Sequence, residues 1–243
     1  MRRRRLRLIA LVAVAGVVTT GLSGCGMTRG DSFDDNTTLS GKINSVLLDG
    51  SGDVTVRGRK GSAPLTLERR VDYKGDRPKK PTYRVENGVL VLGGCGKDCT
   101  AEYEVEVPDG TPVRGKVSGG TVKLSQVGAV RVTTGSGRIE MNGVTGAVEV
   151  VTGKGRITGR NLKGGPVRAQ ATDGTVHLTA RTPVSATVRT DGGRINLRVP
   201  KGRYKVSVAS EGGDTDVDMA HDPAARHGIT LRSKDGDILL QDS

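Results

Sequence analysis

The chain of 243 residues carries 38 Lys and Arg against 26 Asp and Glu, a formal charge of +12. With 37 Gly, no Trp, one Phe and four Tyr, it argues against a globular enzyme core of large aromatic side chains and for a thin core of Val, Ile, Leu and Ala. Its basic balance suits a membrane surface or an anionic polymer, and identifies neither.

The N-terminal segment reads as an address. "MRRRRLR" is a positively charged start, and Leu8 to Val18 is an uncharged apolar run too short for a mature transmembrane helix, so residues 1–24 are expected to be a signal peptide. "LSGC", Leu22 to Cys25, resembles a bacterial lipobox. The resemblance implies cleavage before Cys25 and a diacylglycerol on its thiol, hence a protein anchored to the extracytoplasmic face of the cell membrane. Removing residues 1–24 leaves 33 basic against 26 acidic residues, a formal charge of +7. Residues 25–40 hold the lipidated cysteine and a polar, aperiodic stretch expected to be a flexible tether. The "RGDS" at 29–32 is a match of a kind that chance supplies, four residues from the expected lipid.

From residue 41 the chain reads as strand after strand. Ser45 to Arg57 gives two alternating runs around "DGSGD", and Leu65 to Tyr73 gives another. "YRVENGVLVL" at 83–92 centres on Asn87-Gly88, a two-residue hairpin signature. Cys95 and Cys99 lie in "GGCGKDC"; in an exported chain a structural disulfide is expected, since further metal ligands are missing from that stretch and a redox motif wants two intervening residues. "AEYEVEVP" at 101–108 alternates acids with Tyr103, Val105 and Val107, giving one wet and one buried face.

The second half is a repeat. Gly120, Gly137, Gly155, Gly174, Gly193, Gly213 and Gly236 follow at spacings of 17, 18, 19, 19, 20 and 23 residues. Two positions after each stand Val122, Ile139, Ile157, Val176, Ile195, Thr215 and Ile238; seven before stand Val113, Val130, Val148, Val167, Ala186, Val206 and Ile229. Inward positions are odd before the glycine and even after it. A continuous strand keeps one parity, so each glycine marks a bend between two strands facing one core. The expected fold is all-β: a single-domain parallel β-solenoid, a β-helix taken as right-handed, over 41–243. Within it, 41–112 is an irregular, hairpin-containing part and 113–243 the regular coils. A β-sandwich is the alternative.

The units "SGDVTV" (51–56), "SGGTVKL" (118–124), "TDGTVHL" (172–178) and "TDGGRINL" (190–197), with the lipobox, resemble those of bacterial adhesin-like domains of unknown function. These are exported β-helix modules related to autotransporter adhesin heads. The resemblance covers roughly 41–243 and implies fold rather than site, because the shared residues are turn and core residues.

The chemistry is sparse. "GSGRIEM" and "GKGRITG" run into strands, whereas a phosphate-binding loop ends in Lys-Ser/Thr and opens a helix. Asp214, Asp216 and Asp218 suggest a calcium turn, but the nine-residue repeat that such sites need is missing. His177, His221 and His227 assemble into no triad with the acids, so no catalytic residue, metal or cofactor is expected. One basic stripe stands out: Arg138, Arg156 and Arg194 one position after the glycines, with Arg131 and Arg168 outward on the preceding strand. It suits an anionic envelope polymer. The expected function is therefore a non-catalytic adhesion or scaffold module recognising such a polymer or another envelope protein, and not nucleic acid. The alternative is a polysaccharide-active β-helix enzyme, which a cleft joining Arg138, Arg156, Arg194 and an acid would favour.

Overall fold

The computed structural model describes residues 30–62, 64–79 and 81–242. Those residues form nineteen β-strands and no helix. The first seven are β1 (Asp31–Leu39), β2 (Ser45–Gly50), β3 (Val54–Arg59), β4 (Leu65–Tyr73), β5 (Tyr83–Glu86), β6 (Val89–Gly93) and β7 (Cys99–Pro108). Two strands of 13 residues follow, β8 (Val113–Ser125) and β9 (Val130–Asn142). Then come β10 (Val148–Lys154), β11 (Ile157–Leu162), β12 (Val167–Asp173), β13 (Val176–Ala180), β14 (Ala186–Gly192) and β15 (Ile195–Val199). The last four are β16 (Tyr204–Ser210), β17 (Thr215–Asp218), β18 (His227–Asp235) and β19 (Ile238–Asp242).

The repeat becomes a solenoid-like stack. β8 and β9 pair in parallel without slip, from Val113 opposite Val130 to Ser125 opposite Asn142. Arm one continues from β9 through β10, β12 and β14, and arm two through β11, β13 and β15. Between the arms lies a single apolar column in which Val130, Val148, Val167 and Ala186 face Ile139, Ile157, Val176 and Ile195, all buried.

The corner explains the glycines. Gly137 and Gly155 have φ of 149° and 141°, in the region open chiefly to glycine. A Cβ on Gly155 would collide with the carbonyl oxygen of Gly137, one rung below. Hydroxyls fill the inward place just before the bend. Thr152 donates to the Gly137 carbonyl at 3.3 Å, and Thr190 to the carbonyls of Gly174 and Gly192 at 3.3 and 3.1 Å.

The stacking order departs from chain order at both ends. β14 and β15 bond β18 and β19, and only beyond these do β16 and β17 lie. The last segment of the chain is thus inserted beneath the one before it, and the register survives: Ala186, Ile229 and Val206 are stacked. Likewise β2 and β3 lie on β8, with β6 and β7 outside them. Residues 41–112 are therefore less irregular than expected, since they contribute two coils in register with the repeat.

Residues 31–39, expected within the flexible 25–40 segment, form β1, antiparallel to β4, which is itself antiparallel to β7. Its inward row is Phe33, Asp35, Thr37 and Leu39, and the two polar members hide the alternation. They are satisfied from inside: Arg69 ion-pairs with Asp35, and Tyr83 Oη lies 3.2 Å from Thr37 Oγ1. The Arg69 guanidinium sits 5.3 and 5.4 Å from the ring centres of Phe33 and Tyr83, closing this end of the core with a largely buried, ion-paired cation. Asn87 and Gly88, at φ of 50° and 76°, turn β5 into antiparallel β6. The Cys95–Cys99 disulfide, with Cα atoms 5.6 Å apart, closes the bend between β6 and β7.

Candidate functional site

The corner residue after each glycine forms a column on the outside of arm two. In stacking order it reads Asp53, Thr121, Arg138, Arg156, Thr175, Arg194, Asp237 and Asp214. The structure thus brings Arg138 and Arg156 onto adjacent rungs, with Arg194 two rungs beyond Arg156. It does not bring Arg131 and Arg168 to them. Those two point outward from arm one and flank Glu149, with which Arg131 pairs at 2.9 Å. The stripe divides because the corner turns the chain: positions before and after the glycine belong to different faces.

Charge pairing divides it further. Arg138 reaches Glu140 at 3.4 Å and Arg194 reaches Asp237 at 2.9 Å, the latter pairing holding the Asp237 carboxyl below its usual range. Arg156 has no ion pair among the described residues. Two residues that the repeat columns did not single out join it. Arg160, on β11, and Arg198, on β15, project from the same outer face, exposed and also without an ion pair among the described residues. Lys123 on β8 is exposed there too. The signal for them was the outward parity of arm two, since Arg156, Arg160, Arg194 and Arg198 all share it.

Local structure shapes this face. A register shift between Gly159 and Leu162 places Asn161 at φ 54°, and its Nδ2 donates to Asn142 Oδ1 at 2.8 Å. Such a bulge bends its strand and increases the local twist. Beside it is a groove of about 550 Å³, lined by Arg57, Lys123, Arg138, Arg156 and Arg160, in which Glu140 is the one carboxylate. The larger groove of this arm, about 650 Å³, lies at its N-terminal end and is lined by acids including Asp34, Glu68, Glu102 and Glu104. One face therefore passes from acidic to basic, and an anion is favoured only over the middle rungs.

His177 lies at the centre of the basic region. It stands opposite Thr158 on β11 and Asn196 on β15. Burial, then the charges of Arg198, Arg160 and Arg156, hold its imidazole below the ordinary histidine value, so it is neutral at pH 7. The neighbouring Asn196 Oδ1 is buried and accepts no hydrogen bond. Elsewhere, His221 Nδ1 lies 3.1 Å from the Val206 backbone N, and His227 packs 6.3 Å from the Tyr204 ring. Asp216 and Asp218 are exposed on β17, and no cluster of three or more potential metal ligands occurs among the described residues. Cys25 lies outside the described residues.

These features define a class: an all-β, mostly parallel, solenoid-like stack whose distinctive chemistry is a charged outer face. The chain belongs to the Toastrack DUF4097 family, whose model matches residues 44–241. It is also similar, at TM-scores below 0.5, to solved structures with little sequence in common. One is a "putative cell adhesion protein" from Clostridium sporogenes, 11% identical, covering 88% of this chain and 100% of that one, with a TM-score of 0.41. Others are a "putative adhesin" from Bacteroides fragilis, 11% identical over 89% and 99% of the two chains at a TM-score of 0.40, and one from Parabacteroides merdae, 14% identical over 88% and 97% at 0.35. No curated protein matches the chain.

Proposed function

We propose that the chain is a non-catalytic binding module of the cell envelope. It is exported, anchored by lipid on Cys25 to the extracytoplasmic face of the membrane, and presents arm two of a right-handed coil to an anionic cell-wall polymer. The observation that carries this reading is the set Lys123, Arg156, Arg160 and Arg198: four exposed cations on one face with no ion pair among the described residues. A cation already paired with a carboxylate has less to offer an incoming anion, whereas an unpaired arginine can accept a phosphate in its two-pronged geometry. Their regular rungs, about 4.8 Å apart, suit a repeating ligand better than a single small molecule.

Two experiments test it. Reversing Arg156→Glu and Arg160→Glu should weaken binding to poly(glycerol phosphate) by about tenfold or more, given 1.5–3 kcal/mol for each charged hydrogen bond. Arg131→Glu, on the other arm, should leave it unchanged; equal losses from both variants would remove the site. In cells, a fatty-acid probe should label the wild-type chain and not Cys25→Ala. Equal labelling would remove the anchor.

A further inference from the structure

We infer that His177 is the floor of a discrete subsite for one phosphodiester group of an anionic polymer, and that the imidazole takes up a proton from solvent when the group binds. The inference rests on the anion-binding reading above and adds the ligand chemistry and its control.

On the outer face of arm two, His177 has Thr158 on one side and Asn196 on the other. Arg156 and Arg160 lie two residues before and after Thr158, and Arg194 and Arg198 two residues before and after Asn196. With rungs about 4.8 Å apart and a rise of about 3.3 Å per residue, Arg156, Arg194 and Arg198 are diagonal neighbours of His177 at about 8 Å between Cα atoms, and Arg160 approaches from the bulge after Gly159. Arginine is long enough to cover that distance from all four corners. Arg194 is occupied by Asp237, leaving Arg156, Arg160 and Arg198 to close on a common centre above the imidazole. His177's own strand contributes only Thr175 and Thr179 to this face, and β11, β13 and β15 carry no acid; the nearest carboxylate, Glu140 on β9 opposite Thr158, is taken by Arg138.

Donors arriving from three directions match a tetrahedral oxyanion better than a planar carboxylate. Without an anion, burial first and then the charges of Arg198, Arg160 and Arg156 disfavour a positive charge on His177. A bound phosphodiester neutralises those arginines and sets a negative charge beside the imidazole, which favours its protonated form. Protonation also gives the imidazole a donor on both nitrogens. One can meet the anion, and the other the neighbouring Asn196 Oδ1, which now accepts nothing.

The sign follows from linkage. The complex binds more protons than the free protein, so affinity rises as pH falls through the interval between the bound-state and free-state values of His177. The probe is poly(glycerol phosphate), whose diesters do not titrate near neutrality, measured against the whole chain at fixed ionic strength. Between pH 7.5 and 5.5 the wild type should gain about threefold or more in affinity, and the imidazole should titrate at higher pH with polymer than without. His177→Gln, which keeps polarity and bulk, should still bind but lose that pH dependence. Identical pH profiles for wild type and His177→Gln would overturn the inference while leaving polymer binding intact. So would binding to phosphatidylglycerol vesicles but not to the polymer. Absence of polymer binding at every pH would overturn this inference and the binding reading together.

Discussion

Gly155 shows how strictly one residue is held by its neighbours in the stack. Its φ of 141° excludes most side chains, and any Cβ would enter the Gly137 carbonyl oxygen. Backbone strain and overpacking each cost about 1–3 kcal/mol, so Gly155→Val should lose about 3 kcal/mol or more in chemical denaturation. Gly119 is the matched control. It is also at a corner, but its Cβ would stand 3.4 Å from the Ser136 carbonyl, an ordinary contact, and its φ is not positive. Gly119→Ala should stay within about 0.5 kcal/mol of wild type. Comparable losses at both positions would mean the corner is more plastic than the stacked carbonyls imply. The same neighbour logic sets charge at the site: Arg138, Arg156 and Arg194 share one position in the repeat, yet Glu140 and Asp237 occupy two of them and leave Arg156 free to act.

At the scale of the element, legibility tracked where the hydrogen-bonding and packing information lies. The β5–β6 hairpin was readable because Asn87-Gly88 alone specifies the turn. β7 was readable because Tyr103, Val105 and Val107 alternate cleanly, and all three are buried. β1 was not, because Asp35 and Thr37 occupy its inward row and are acceptable there only through Arg69 and Tyr83, more than thirty residues away. No local rule distinguishes such a strand from a polar tether. The disulfide was legible as a pairing from its spacing, but its role was not: it closes the bend of a coil whose two strands have neighbours of opposite sense, parallel β2 and β3 inside and antiparallel β5 and β4 outside.

For the whole molecule, the exchanged order of coils has a measurable consequence. In a stack where each layer touches only its neighbours, the outermost layer frays first. β16 and β17 form the outermost layer although they precede β18 and β19 in the chain. Val206 and Val208 are only half-buried, while Ile229 and Leu231 beneath them are fully buried. Amides of 204–218 should therefore exchange with deuterium before those of 227–242; the reverse order would contradict the inserted final layer. β17 carries Asp214 at its corner and Asp216 and Asp218 along its length, charges that discourage another sheet from adding to this open end.

The repeating unit is written in the residues themselves: two short strands, a glycine corner and an inward parity that changes across it. Those features repeat because each rung must place apolar side chains on the same narrow core, and such a constraint is written locally. Packing in three dimensions sets the order of the layers, since every unit offers the same register and pattern cannot tell which neighbour it will meet. It also decided the site. The arginines of the repeat lie at equivalent positions in sequence, but which face they share, which are neutralised and that His177 lies among them depend on partners one rung away.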